Sequence, residues 1–133
     1  MSDLNTALTR KKPADLYYFN SSAATATVKK FVQKKGWRFF YLDGRRIANK
    51  QEFLTACAKF FALPAYFGNN WDALEECLHD LSRADGYVIL FDLADKFMQT
   101  EDWQTAVSIF QGVLKEKNLY MLVRGEKVKL ADL

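Results

Sequence analysis

The sequence predicts an α/β fold: a small three-stranded parallel sheet packed with helices, plus an added N-terminal helix. Three observations carry that reading. Tyr87-Val-Ile-Leu-Phe91 is apolar at every position, the pattern of a strand covered on both faces rather than one. Two further β-rich runs, Trp37–Leu42 and Leu119–Val123, lie on either side of it in the chain. Amphipathic helical stretches separate the three runs. Strand, helical crossover, strand calls for parallel pairing with right-handed connections. The 133 residues suit one folded unit without internal repeats.

Taken in order, residues 1–16 are polar and expected to be loosely ordered, with Pro13 arguing against helix. Tyr17-Tyr18-Phe19 is a short aromatic run expected to dock on the body. Asn20, Ser21 and Ser22 offer helix caps, and Ala24, Val28, Phe31 and Val32 recur at helical spacing. Lys29, Lys30, Lys34 and Lys35 crowd the far side and last turn, where cations suit the helix dipole. Gly36 can close that helix. Residues 1–36 thus read as a partly flexible extension with one amphipathic helix, and 37–133 as the main domain. After the strand ending near Leu42, Asp43-Gly44 is a turn dipeptide, and Arg45-Arg46-Ile47 reads as a brief continuation of strand. Asn49 with Glu52 resembles a capping box. The helix it opens carries Phe53, Leu54, Cys57, Phe60 and Phe61 at core spacing and stops before Pro64.

The next stretch, residues 63–81, is the most informative. Gly68 permits a sharp turn, and Asn69 or Asn70 can cap a new helix by accepting from its free N–H groups. From Trp71 to about Ser82 the two faces differ. At roughly 100° per residue, Leu74, Cys77, Leu78 and Leu81 share one side. Asp72, Glu75, Glu76, His79 and Asp80 share the other, with no Lys or Arg between Lys59 and Arg83. Like charges at helical spacing repel, by about 0.2–0.5 kcal/mol per pair, so local stability does not account for the pattern. A plain solvated face is the competing reading. Against it stand Tyr66, Phe67 and Trp71, large aromatics next to the first carboxylate, an arrangement typical of interface centres.

The remainder is simpler. Arg83-Ala-Asp-Gly86 is a turn, and residues 92–100 read as a loop or broken turn. Thr100 is a candidate cap for a helix with Trp103, Val107, Phe110 and Leu114 as its core stripe and Lys115 and Lys117 at its basic end. Residues 125–133 form a polar tail.

Composition narrows the function classes. Half the residues are hydrophobic and 26% are charged, as in ordinary globular proteins. The apolar runs are too short to cross a membrane, and the first residues show no hydrophobic signal core, so a cytoplasmic location is expected. Cys57 and Cys77 sit at apolar helix positions, which favours buried thiols over a disulfide framework. Residues 1–50 carry eleven Lys/Arg against three Asp, whereas 51–133 carry eight basic and thirteen acidic residues. The basic front raises a nucleic-acid reading, which the acidic helix on the same small body opposes. Glu76-x-x-His79 suggests half of a di-iron motif, but His79 is the sole histidine and such a site needs a second pair. Zinc or Cys–His chemistry would need thiols that lie on core faces. With no phosphate-binding glycine loop either, the chain is expected to be neither an enzyme nor a cofactor protein.

Leu-Pro-Ala-Tyr-Phe-Gly-Asn-Asn-Trp-Asp-Ala-Leu-Glu-Glu-Cys-Leu, residues 63–78, resembles the signature of barstar-type ribonuclease inhibitors, and the likeness covers roughly residues 37 to 124. It implies a barstar-like fold and an intracellular inhibitor that blocks the cationic active site of a basic, extracellular-type ribonuclease. It also implies roles: Tyr66 and Phe67 as aromatic contacts, Asn70 and Trp71 at the edge, Asp72 as first acidic anchor and Glu76 as central plug. Glu75, His79 and Asp80 complete the partner-binding set. Here Glu76 replaces an Asp of the best-known member, Glu75 replaces a Trp, and Gly112 stands where a further acid is expected. No small-molecule substrate, membrane or nucleic acid is implied. The alternative is a barstar-like adaptor for a basic partner that is not a nuclease.

Overall fold

The structure, a computed structural model, describes residues 13–19, 21–60, 70–82 and 86–125. The elements run β1 (Leu16–Tyr18), α1 (Thr25–Lys34), β2 (Arg38–Asp43), a 3₁₀ turn (Gly44–Arg46), α2 (Lys50–Phe60), α3 (Trp71–His79), β3 (Tyr87–Asp92), α4 (Asp95–Met98), α5 (Asp102–Gln111) and β4 (Leu119–Val123). The strands form one parallel sheet in the order β1-β4-β3-β2.

The all-apolar run holds the centre of this sheet. Every residue of β3 and of β4 is buried, and the two are in register from Tyr87 opposite Leu119 to Phe91 opposite Val123. Side chains alternate across a strand, so each strand feeds two cores. One contains Ile89, Phe91, Met121 and Val123 with Phe53, Leu54, Leu74, Leu78, Phe97 and Phe110 from the helices that follow β2. The other contains Val88, Leu90, Tyr120 and Leu122 under Val28 and Val32 of α1, with Phe19 and Trp37. Each fully buried aliphatic or aromatic side chain contributes roughly 1.5–3 kcal/mol. At the heart of the first core, the Phe53 ring stacks on Phe97 at 4.8 Å and meets Phe110 edge-on at 6.2 Å.

The strand count differs from the sequence expectation: the sheet has four strands, not three. The aromatic run near residue 17 does dock on the body, but as a strand. Leu16–Tyr18 pairs with β4, and Phe19 N–H donates to the Val123 carbonyl at 2.8 Å. The outer edge of β4 is otherwise unpaired, and Tyr17 stacks on Tyr120 across the new pair at 6.4 Å. Backbone pairing and ring packing thus act together, a combination that three residues read singly do not reveal.

Other corrections are local and have local causes. Arg45–Ile47 does not extend β2. The Asp43 carboxylate accepts the Arg45 N–H at 3.0 Å and folds the chain into the 3₁₀ turn. Gly44 is required there, because a Cβ would collide with the backbone carbonyls of Asp92 and Leu93. Helix α1 starts after Ala24 without a side-chain cap, since the Ser21 hydroxyl accepts the Ala23 N–H instead. Thr100 does not cap α5; its hydroxyl donates to the Phe97 carbonyl at 2.8 Å. The 92–100 segment contains the short helix α4, and turns follow Gln111, leaving Lys115 and Lys117 beyond α5. Gly36 ends α1 as expected, at φ 83°. The capping box forms, with Glu52 N–H donating to Asn49 Oδ1 at 2.9 Å and Glu52 Oε1 accepting from Ala48 N–H at 2.9 Å.

Candidate functional site

Asn70 sets where α3 begins. Its backbone is extended, at φ −135° and ψ 166°, and its side-chain oxygen accepts the Ala73 N–H at 2.8 Å. Such a cap satisfies one of the donors left unpaired at a helix start. Leu74 and Leu78 are fully buried and fix the rotation of the helix about its axis. With that face inward, Asp72, Glu75, Glu76, His79 and Asp80 are all exposed. The helix is shorter than its sequence pattern suggests. Asp80 N–H closes it by donating to the Glu76 carbonyl at 3.0 Å.

The electrostatics of this ridge are one-sided. Among the described residues no Lys or Arg forms an ion pair with Asp72, Glu75, Glu76 or Asp80. Cys77 reports on the local potential. Its thiol is pushed above the ordinary range by burial first, and then by the carboxylates of Asp80 and Glu76. Cys77 is only half-buried, in contrast to the expectation for both cysteines; Cys57 is fully buried and its thiol is driven far up by desolvation. His79 Nδ1 lies 3.8 Å from Glu116 Oε2. Glu116, whose other oxygen lies 3.9 Å from Lys117 Nζ, thus brings a paired carboxylate to the border of the ridge from the turn before β4. Nothing in the local sequence marks it, because 37 positions separate it from its neighbour on the ridge.

Trp71 is half-buried. Its ring packs 6.0 Å from Phe53, and Lys50 Nζ lies over it at 5.8 Å. It thus joins the start of the acidic helix to the core and leaves part of its ring at the surface. Tyr66 and Phe67 lie outside the described residues. Asn70, Trp71, Asp72, Glu75, Glu76, His79 and Asp80 are carried together by one helix and its cap.

A second polar cluster lies at the carboxyl ends of the strands. Arg124 grips Asp92 through two bonds, Nε to Oδ1 at 2.9 Å and Nη2 to Oδ2 at 3.1 Å. Its Nη1 donates to the Ser21 and Ala23 carbonyls at 3.0 and 2.6 Å. The Tyr41 hydroxyl donates to Asp92 Oδ2 at 3.1 Å. Burial works to raise the Asp92 carboxyl, but Arg124, Tyr41 and the Leu93 N–H outweigh it and hold it below the ordinary range. Burial first, and then the same carboxylate, push the Tyr41 phenol up. Every charge here is answered from within, so the cluster ties the entry of α1 to the sheet. A cleft of about 580 Å³ lies elsewhere, between β2 and α2. Among the described residues no three His, Cys, Asp or Glu side chains gather as a metal site would require. No helix among them is long and apolar enough to cross a membrane.

The family model described as barstar (barnase inhibitor) matches residues 37–130, well over half the chain. The chain belongs to the barstar family. No curated protein sequence matches it. Among solved structures it is similar to a chain in the structure of Drosophila ORC bound to DNA, at 16% identity and a TM-score of 0.63. That likeness covers 97% of this chain and 36% of the other, so this chain spans about a third of its length. At that identity the likeness concerns the fold alone. The barstar match begins at Trp37, so β1 and α1, which supply one edge strand and the cover of one sheet face, precede the matched region.

Proposed function

We propose that this barstar-family protein is an intracellular inhibitor that occupies the cationic active site of a basic ribonuclease with the exposed ridge of α3. A site that holds RNA phosphates is positively charged. A row of carboxylates fixed on one rigid helix can take the place of those phosphates and keep the substrate out. The observation that carries this reading is the ridge itself: Asp72, Glu75, Glu76 and Asp80 all face solvent, with none in an ion pair among the described residues. Surface carboxylates ordinarily sit among cations. An uncompensated row costs the monomer electrostatic repulsion and gains its return on meeting a surface of opposite sign, where complementary potentials speed encounter and select the partner.

Asp72 serves as the first anchor and Glu76 as the plug, with Tyr66 and Phe67 as aromatic contacts and Asn70 and Trp71 at the edge. Glu75, His79 and Asp80 widen the contact. Binding is tested by titrating the protein against barnase and against basic ribonucleases secreted by the host, with RNA hydrolysis as the readout. Inhibition that weakens in Asp72→Ala and Glu76→Ala, chiefly through faster dissociation, supports the reading. A ridge whose removal leaves inhibition unchanged opposes it. Retention of a basic protein without ribonuclease activity would instead favour an adaptor role for the same ridge.

A further inference from the structure

We infer that the free edge of β2, together with the cleft between it and α2, is a second docking surface that takes an extended acidic peptide segment of a partner protein by strand addition. Among the described residues strand β2 ends the sheet and is hydrogen-bonded on one side only, to β3. Arg38 N–H donates to the Gly86 carbonyl at 3.0 Å, so the backbone of Arg38 faces β3. Alternation then turns the N–H and C=O groups of Phe39 and Tyr41 outward, away from the sheet. Exposed edges are usually blunted by short length, lysines, prolines or bulges. This one is six residues long, Arg-Phe-Phe-Tyr-Leu-Asp, with Phe39, Phe40 and Tyr41 all half-buried.

The cleft beside this edge supplies the second half of a strand-addition site, a wall for alternate side chains. Leu42, Ile47 and Ala56 line its apolar part. Its charges decide the occupant. The Asp43 carboxylate is neutralised by Arg45 in two bonds of 3.0 Å, whereas Glu52, which accepts the neutral Ala48 N–H, keeps its charge and offsets one of the two remaining cations. The other two charged lining residues, Arg46 and Lys59, are exposed and in no ion pair among the described residues. Two cations against the one remaining carboxylate leave the cleft with a net positive charge. The fitting partner is an extended segment whose cleft-facing side chains, every second residue, place apolar groups against Leu42, Ile47 and Ala56 and carboxylates at the ends, toward Arg46 and Lys59. This polarity is opposite to that of the α3 ridge, so one chain offers two surfaces for two differently charged partners.

The test uses the full chain and a fluorescein-labelled peptide, Glu-Thr-Val-Thr-Val-Thr-Glu, whose Glu and Val side chains share one face, with its counterpart carrying Lys for Glu as control. The acidic peptide should bind saturably, and Arg46→Glu with Lys59→Glu should weaken it about tenfold or more, while both exposed substitutions leave the fold intact. Amide hydrogen exchange should show new protection at Phe39 and Tyr41 on binding and none at Phe40 and Leu42, whose N–H groups already face β3. Equal binding of both peptides, binding without protection at Phe39 and Tyr41, indifference to the two substitutions, or no binding would each overturn the inference. So would protection of those amides before peptide is added. In that case sedimentation as a dimer would assign the edge to a second copy, and sedimentation as a monomer to another part of the same chain.

Discussion

Asn70 and Asp92 show how single side chains set the geometry on which the ridge depends. The Asn70 amide oxygen caps α3 at 2.8 Å, and removing such a cap costs about 1 kcal/mol. Asn70→Ala should therefore lower the unfolding free energy by about that amount, seen as a lower urea midpoint at an unchanged m-value. Asp72 and Glu76 behave differently, because they are exposed and make no ion pair among the described residues. Replacing either with Ala should leave unfolding within about 0.5 kcal/mol of wild type. The same changes should weaken partner binding by on the order of 2 kcal/mol or more. Asp92 gives the pH dependence. Its carboxyl is held below the usual value in the folded protein, so the stability it adds is fully present above the unfolded carboxyl's pKa, near pH 3.9. That stability is lost as pH falls through the lower, folded value. Asp92→Asn should lose about 3 kcal/mol or more at pH 7, where it leaves Arg124 buried without its partner. The variant should also unfold less steeply than wild type as pH falls below about 4, which urea titrations at pH 7 and pH 3 would show.

At the scale of elements, what the sequence disclosed depended on whether the causes were local. The buried pair Leu74 and Leu78 and the exposed carboxylates between them follow from the 3.6-residue repeat alone, so the aim of α3 was legible, while its cap was narrowed only to Asn69 or Asn70. The Asn49–Glu52 box was legible for the same reason. Strand β1 was not, because three residues acquire their conformation from β4, more than a hundred positions away in the chain. Glu116 was hidden in the same manner; only the packing of α3 against α5 brings the following turn beside His79. Thr100 misled because a hydroxyl two residues before a helix can serve either the helix ahead or the one behind, and here it serves α4. The 3₁₀ turn after β2 was misread because the Asp43 side chain, rather than a neighbouring strand, takes the Arg45 N–H.

At the scale of the whole molecule, the segment preceding the barstar match does structural work for the matched part. Val28 and Val32 of α1 cover Val88, Leu90, Tyr120 and Leu122, and Arg124 joins Asp92 to the carbonyls that lead into α1. A chain beginning at residue 37 should therefore expose that apolar face, bind the dye ANS and melt well below wild type or aggregate. The proposed function depends on the acidic ridge meeting a cationic ribonuclease. The most direct measurement captures proteins from the host's extract and secreted fraction on immobilised wild-type chain and on the Asp72→Ala, Glu76→Ala double variant, then assays the salt eluate for RNA hydrolysis. We expect a basic ribonuclease to be retained by the wild type and lost from the double variant. Ribonuclease retained equally by both chains, or no ribonuclease retained by the wild type, would contradict the account.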